Sequence, residues 1–519
     1  MFKSKKLFFS CTLLFLILLP LALSIKFKQN DEWVYYLMVE NFLKHNFILQ
    51  QNVSATFYLQ GIMGALFALA FGISRLPVLT LLVSVLTFYV FCLILLRHYE
   101  AKPHEAIILG LFLFLNPIFV YSMWGFMTEN YFMLFFVLSL YFLISYNKNG
   151  KLKDLVLTDL FIILAYFVRQ FSFITLSAFV GYLIIHKKYK AALIQTTILI
   201  LLLFFNFYVF PQTPEMYDGR LHLSNLGSQS YVFSTIFSIL INVLIFIFPM
   251  VVIVFIHVIK EFIKKTNAKQ RIIRVSVVLL IIFLSILSYN ILLDTKYFRD
   301  TEFPYMGNVF EVTGFFPKGP LGDRYEYIGQ NYLFPYLDTL GKASILVFLV
   351  ILVMNYKKFT SYYFLFMINF LILLLVSPVI YDRYILPLTP ILILLLYELA
   401  RESMSKISSK LFMITFLFGL LFLMYQFSME FVITKNYIWT SALNIVKNQR
   451  AERDSLNVGN SWIRLYGVGT NIYYYSYTMD VKKREKGVNY KAIGVLDVKF
   501  PFSFYVNPKI YLIKKEVIR

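Results

Sequence analysis

The sequence predicts an all-α polytopic membrane protein of about thirteen transmembrane helices. It adds an interfacial helix pair in the first outer loop and a small outer α/β domain at the C-terminus. Three observations carry that expectation. Of 519 residues, 59% are hydrophobic and 15% charged, with a mean hydropathy of +0.70; soluble domains carry roughly 25% charged residues. Apolar runs recur from the first turn to about residue 431, and many reach the roughly 20 residues that span a bilayer. Lys and Arg gather in alternate connections, as loops on the cytoplasmic side should.

This composition excludes a soluble enzyme, a disordered chain and a disulfide-stapled secreted domain. It also argues against an outer-membrane barrel, whose strands alternate over roughly ten residues and lack continuous apolar runs. The two cysteines, Cys11 and Cys92, both sit inside apolar runs and suggest neither a disulfide framework nor a zinc site. There is no GxxxxGK[ST], HExxH or CxxC motif and no internal repeat. The net charge of +21 would point to nucleic acid on a soluble chain. Spread as it is here, it points to membrane topology, and no nucleic-acid partner is expected.

Thirteen apolar segments read at 7–25, 76–96, 105–123, 130–146, 155–170, 171–185, 191–210, 232–256, 275–293, 343–356, 361–378, 384–399 and 411–431. A shorter candidate, 57–73, holds Gln60 and three glycines. With the N-terminus inside and 57–73 not spanning, 22 Lys and Arg fall at the inner terminus and in short inner loops. If 57–73 did span, 19 of those would move outside. The segment therefore reads as a re-entrant or interfacial helix on the outer face. Residues 1–24, with a basic start and small residues at Ala22–Ser24, also fit a signal peptide.

The resulting N-in, C-out arrangement divides the chain into a transmembrane domain, 1–431, and an outer domain, 432–519. It leaves three outer features. Residues 26–75 form the first. Residues 294–341 are rich in Gly and Pro and read as a mobile loop. Residues 432–519 carry 15 Lys/Arg against 6 Asp/Glu and a run of tyrosines at 473–477. They read as mixed strand and turn, suited either to anionic headgroups or to a plain capping role.

Polar residues beside apolar spans are few, so each is informative. Asp31 and Glu32 follow the first span and precede Trp33, Val34, Tyr35 and Tyr36. A carboxylate there suits a general base or a cation ligand; it equally suits the cap and first turn of a helix over 33–45. Glu129 lies at the outer end of a span, on the same side, and reads either as a second site carboxylate or as a helix-start acid with Thr128 as cap. Arg169 sits in the turn between two apolar runs. Its planar fork suits a lipid phosphate, and snorkelling to the interface explains it as well. Arg383 and Tyr384 follow Asp382 at an outer mouth, with Pro387 and Pro390 opening the backbone beyond. Asp382 and Arg383 also suit a simple boundary pair. Two acids and two arginines at the outer leaflet fit a lipid-phosphate substrate entering sideways from the membrane.

These residues resemble a known superfamily. Asp31-Glu32-x-x-Tyr35 after a first span, then a helix and an interfacial apolar segment ending in Phe71-Gly72, is similar to the first outer loop of the GT-C glycosyltransferases. The branch it resembles holds the bacterial relatives of dolichyl-phosphate-mannose–protein mannosyltransferases and of lipid A aminoarabinose transferases. Glu129 resembles their second acidic position, and Arg383-Tyr384-x-x-Pro387 their late R-Y-x-x-P element. The resemblance covers 26–190 and 376–400; residues 210–345 and 432–519 show none. Many members have Lys-Pro or Pro-Pro where this chain has Asn52-Val53-Ser54-Ala55-Thr56-Phe57.

The resemblance implies an integral protein of the bacterial cell (inner) membrane that takes a sugar from a polyprenyl-phosphate donor. The acceptor, a lipid, protein or glycan, lies on the outer face. Asp31 is then the base, with inversion at the anomeric carbon. Arg169, Arg383 and Tyr384 bind the donor phosphate. Glu129 assists Asp31 or joins it in holding a divalent cation (Mg, Mn or Zn); some relatives use a metal and others do not. Glu32, Tyr35 and Arg324 are placed on the acceptor side or the outer loop. Two other classes fit the composition: a lipid-linked glycan polymerase or ligase, and a non-catalytic lipid-glycan transporter.

Overall fold

The computed structural model describes residues 2–50, 53–54, 56–205, 208, 222–264, 298–299, 302–310, 315–316, 334–377, 380–467, 472–476, 488–497 and 509–517. The chain is mostly helical. Among the described residues, seven helices are long and apolar enough to cross a membrane, or eight if one bent pair is a single span.

The apolar runs become α1 (Phe2–Ser24), α4 (Leu76–His98), α5 (Pro103–Phe114), α6 (Pro117–Met123), α7 (Thr128–Asn149), α8 (Leu152–Tyr166), α9 (Phe173–Ile185) and α10 (Tyr189–Phe204). Further along come α11 (Gln229–Leu244), α12 (Phe248–Lys264), α13 (Phe334–Met354), α14 (Tyr362–Val376), α15 (Leu388–Met404) and α16 (Ile407–Gln449). The segment read at 275–293 lies outside the described residues.

The structure departs from the expected spans in identifiable ways. Segment 105–123 breaks into α5 and α6, bent by 75°. Pro117 has no N–H to continue α5, and the Asn116 side chain accepts from Ile118 N at 3.0 Å to start α6 afresh. The helices α9, α10 and α14 hold only 13, 16 and 15 residues. Segment 232–256 lengthens into a helical stretch over Gln229–Lys264. The expected domain boundary at 432 falls inside α16, which runs unbroken for 43 residues. No Gly or Pro interrupts it between Gly419 and its end, and Arg450 closes it at φ +50°.

The segment expected as the first outer loop folds as two helices, α2 (Glu32–Leu43) and α3 (Tyr58–Phe71). At 14 residues, α3 is about 21 Å long at roughly 1.5 Å per residue, short of the roughly 30 Å apolar core of a bilayer. One face packs inward through Gln60, Gly61, Gly64, Ala65 and Ala68, while Ile62, Leu66, Leu69 and Phe71 stay exposed. Two glycines permit the close approach. A Cβ on Gly61 would lie 2.5 Å from the Phe42 ring, and one on Gly64 would lie 2.6 Å from Phe126 and 2.8 Å from Val39.

Of the segment 294–341, expected to be a mobile loop, residues 298–299, 302–310, 315–316 and 334–341 are described, and Arg299 and Glu302 there are exposed. Phe298, Phe303, Tyr305, Met306, Val309, Phe310, Phe315 and Phe316 are all buried. Tyr305 donates to Asp338 at 3.0 Å, and Asp338 pairs with the buried Lys342 at 2.7 Å. Asn242 donates to the Pro304 carbonyl at 2.7 Å. Most of the Gly and Pro that suggested mobility, Gly314, Pro317, Gly319, Pro320 and Gly322, lie outside the described residues.

Beyond α16 lies a four-stranded sheet of β1 (Leu456–Asn457), β2 (Tyr473–Ser476), β3 (Val488–Asp497) and β4 (Lys509–Val517), in the order β1-β2-β4-β3. A short helix, α17 (Asn460–Tyr466), joins the first two strands. Trp462 of α17 packs edge-on against Trp439 of α16, with ring centroids 5.0 Å apart. Cys11 and Cys92 are both free and buried.

Candidate functional site

Four charged side chains from distant parts of the sequence meet at one end of the helical domain. Asp31 stands at the start of α2, Glu129 in the first turn of α7, Arg169 between α8 and α9, and Arg383 in a short 3-10 turn, Asp382–Ile385, before α15. Arg383 Nη2 donates to Asp31 Oδ2 at 2.7 Å. Arg169 Nη2 donates to Glu129 Oε1 at 2.7 Å, and Arg169 Nε donates to Thr128 Oγ1 at 2.7 Å. Arg383 Nε lies 3.7 Å from Glu129 Oε1, an ion pair too long to be a hydrogen bond.

Local structure explains each placement. Asp31 occupies the N-cap position of α2, yet its side chain makes no cap hydrogen bond; it turns to Arg383 instead. Thr128 is not a cap either, since its hydroxyl is spent on Arg169. The turn carrying Arg169 is tied to α3, where Leu59 N donates to the Phe167 carbonyl at 3.0 Å. Tyr384 supplies an aromatic floor: its ring centroid lies 5.2 Å from Arg169 Cζ and 5.7 Å from Arg383 Cζ. Phe171 meets Tyr384 edge-on at 5.2 Å, and Tyr381 adds a second face to Arg383 at 5.4 Å. Tyr35 stacks on Phe57 at 4.8 Å and senses the charges of all four residues. Burial is the main cause that pushes its phenol well above the ordinary range.

The cluster is buried unevenly. The side chains of Glu129 and Arg383 are 1% and 8% exposed, and that of Asp31 is 29% exposed. Desolvating ions costs several kcal/mol each, so stability alone does not explain four of them together. Three polar atoms find no hydrogen-bond partner among the described residues: Arg383 Nε, Arg383 Nη1 and Glu129 Oε2. Orphaned donors on a buried guanidinium, beside an orphaned acceptor, are the features expected of a site that awaits an anionic, hydroxyl-bearing ligand.

Asp382 does not pair with Arg383 in the simple way its position suggests. Its carboxylate is buried and accepts from Val309 N at 2.8 Å and from Phe310 N at 2.5 Å. It therefore fixes Val309 and Phe310 to the element that carries Arg383. Glu32 also points away from the cluster. It accepts from Gln29 N and Phe126 N, both at 2.6 Å, and so ties the segment before α2 to the turn before α7. Burial raises its carboxyl from the usual 4.5 to about 7, against the opposing pull of the two N–H donors and Lys28. Gly125 is needed in that turn, because a Cβ there would sit 2.7 Å from the Gln29 side chain. Arg324 lies outside the described residues.

The donor set does not suit a divalent cation. Each acid that could ligate one is already neutralised by a guanidinium, and a cation between Asp31 and Glu129 would face both arginines. Among the described residues no group of three His, Cys, Asp or Glu gathers at ligand distance.

The structure brings together the four charges singled out in the sequence; Thr128, read there as a cap, binds Arg169 instead, and Phe171, Tyr381 and the loop contact of Asp382 were not anticipated. Phe171 could have been found two positions after Arg169. The Asp382 contact runs to backbone N–H groups more than 70 positions away and has no side-chain signal. No family model, curated protein or solved structure matches this chain.

Proposed function

We propose that this protein is a membrane glycosyltransferase that moves a sugar from a polyprenyl-phosphate donor to an acceptor on the extracytoplasmic face, with inversion. The observation that carries the reading is the pairing of Arg383 with Asp31 beside orphaned N–H groups of the same guanidinium. A lipid phosphodiester is an acceptor-only anion, and the free Nε and Nη1 of Arg383 are donors that need one. Arg169, whose guanidinium lies over the same tyrosine ring, supplies a second positive charge. The resemblance of Asp31-Glu32-x-x-Tyr35, Glu129 and Arg383-Tyr384-x-x-Pro387 to the GT-C pattern supports the same reading. So do the apolar runs, in an arrangement of thirteen spans with the N-terminus in the cytoplasm and the sheet outside.

The chemistry follows from the charges. The donor phosphate occupies Arg383 and loosens its hold on Asp31. Asp31, the most exposed of the three residues whose exposure frames the site, takes the proton of the acceptor hydroxyl. The acceptor oxygen forms a bond to the anomeric carbon as the bond from that carbon to the phosphate oxygen breaks. The leaving group is polyprenyl phosphate, whose added charge the two arginines receive. Phosphate leaves readily, so the site contributes mainly positioning and neutralisation. Glu129 holds Arg169 and Arg383 in register and offers Oε2 to a sugar hydroxyl.

The test is to incubate the purified protein in nanodiscs with mixed polyprenyl-phosphate sugars and identify the retained lipid by native mass spectrometry. A retained polyprenyl-phosphate sugar that Arg383→Ala releases supports the proposal. Retention of a lipid-diphosphate glycan instead moves a polymerase or ligase ahead, and retention of ordinary phospholipid alone removes the donor assignment.

A further inference from the structure

We propose that the lower end of the C-terminal sheet rests in the outer lipid headgroup layer, with Ile493 and Val495 of β3 entering the interface. The inference is independent of the proposed chemistry. Its first support is a level marker. The helix α1 ends at Ser24, and Asn436 of α16 bonds that end directly: its Nδ2 donates to Ser24 O at 2.9 Å, and its Oδ1 accepts from Lys26 N at 2.7 Å. Residues 436–437 of α16 therefore lie where the first apolar helix stops.

The sheet hangs along α16 from that level outward. Tyr473 donates to Gln449 at 3.0 Å, and the Tyr475 and Ser441 hydroxyls lie 2.6 Å apart. As β2 proceeds, it thus descends α16 toward Asn436. The pairing of Ser476 with Tyr511, and of Tyr511 with Val495, carries that lower level across to β3. A Cβ on Gly494 would lie 3.9 Å from the Tyr437 hydroxyl, which joins β3 to the level marker directly.

At this level the sheet exposes what a water-facing sheet would cover. Ile493 is 39% exposed and Val495 53%, on the edge strand of the sheet, with Lys509 exposed on the neighbouring strand opposite the exposed Asp497 of β3. Over 432–519 the chain has 15 Lys/Arg against 6 Asp/Glu, a balance that suits an anionic lipid surface. Apolar side chains beside basic ones at the boundary of a span are the composition of an interfacial contact.

The test uses the full chain, with Val495→Trp, in nanodiscs of equal phosphatidylcholine and phosphatidylglycerol. The emission of the unsubstituted protein is subtracted, since it has four tryptophans of its own. The expected result is a blue-shifted added emission that is quenched by lipids brominated near the headgroup end of the chain. Ile493→Trp serves as a second reporter should the first variant fold poorly. Added emission at the wavelength of water-exposed tryptophan, untouched by brominated lipid in both variants, overturns the proposal. Blue-shifted but unquenched emission in particles holding two copies also overturns it, in favour of edge-to-edge pairing through β3.

Discussion

Arg383 Nη2 donates to Asp31 Oδ2 at 2.7 Å and joins two residues 352 positions apart in the chain. The same guanidinium keeps Nε and Nη1 without hydrogen-bond partners in a buried setting. One side chain thus holds the proposed base and offers the free donors for the proposed phosphate. Binding and proton transfer are thereby linked through a single group.

Arg383→Lys keeps the charge but loses the planar fork and its aromatic stacking. Removing a preorganised donor of this kind costs roughly a hundredfold or more in rate. The loss should appear in the rate of polyprenyl-phosphate release, with Tm little changed. Full activity would show that the fork is not used.

Asp382→Asn tests the link between the outer loop and the Arg383 turn. An amide offers one acceptor oxygen in place of the two that now face Val309 N and Phe310 N. Hydrogen exchange at those two amides should speed up, and transfer should slow, while exchange in α7 and α15 stays as it was. Unchanged protection at Val309 and Phe310 would mean that the segment is held by its other contacts, the bonds to Asn242, Asp338 and Ser238 and its buried aromatic side chains.

Glu32 gives a pH dependence with a definite sign. Its carboxyl is raised by burial from 4.5 to about 7. A group whose pKa is raised on folding contributes stability that is complete below its unfolded value and lost as pH rises through the folded one. Tm should therefore decline between about 4.5 and about 7. In Glu32→Gln that slope should flatten, even if the variant is less stable throughout. An unchanged slope would assign the titration to another group.

Gly64→Val tests the seat of α3. The new side chain would collide with Phe126 and Val39, since a Cβ alone would lie at 2.6 and 2.8 Å. Overpacking of this kind costs about 1–3 kcal/mol. The expected signs are a lower Tm and faster exchange in α2, the helix that carries Asp31 at its start. Wild-type stability would mean that α3 shifts without strain.

Much of this fold was legible in the sequence, because a bilayer enforces long apolar runs. Every expected segment inside the described residues became helix. The four charges were legible for the same reason: a charge beside an apolar run stands out. What stayed hidden depended on backbone partners or local geometry. The break at Asn116–Pro117 lay in a run whose hydropathy gives no sign of it. The continuity of α16 was masked by the polar residues after 431, which do not end the helix. The burial of Phe298, Phe303, Phe310, Phe315 and Phe316 had no periodic signal in the sequence.

The most direct test of the central claim is a single-turnover measurement on Asp31→Asn, loaded with polyprenyl-phosphate sugar in nanodiscs. General-base catalysis is worth roughly a hundred- to ten-thousandfold. The account expects the donor to stay bound and polyprenyl phosphate to be released slower by about that factor. Turnover at the wild-type rate with donor bound would contradict Asp31 as the base.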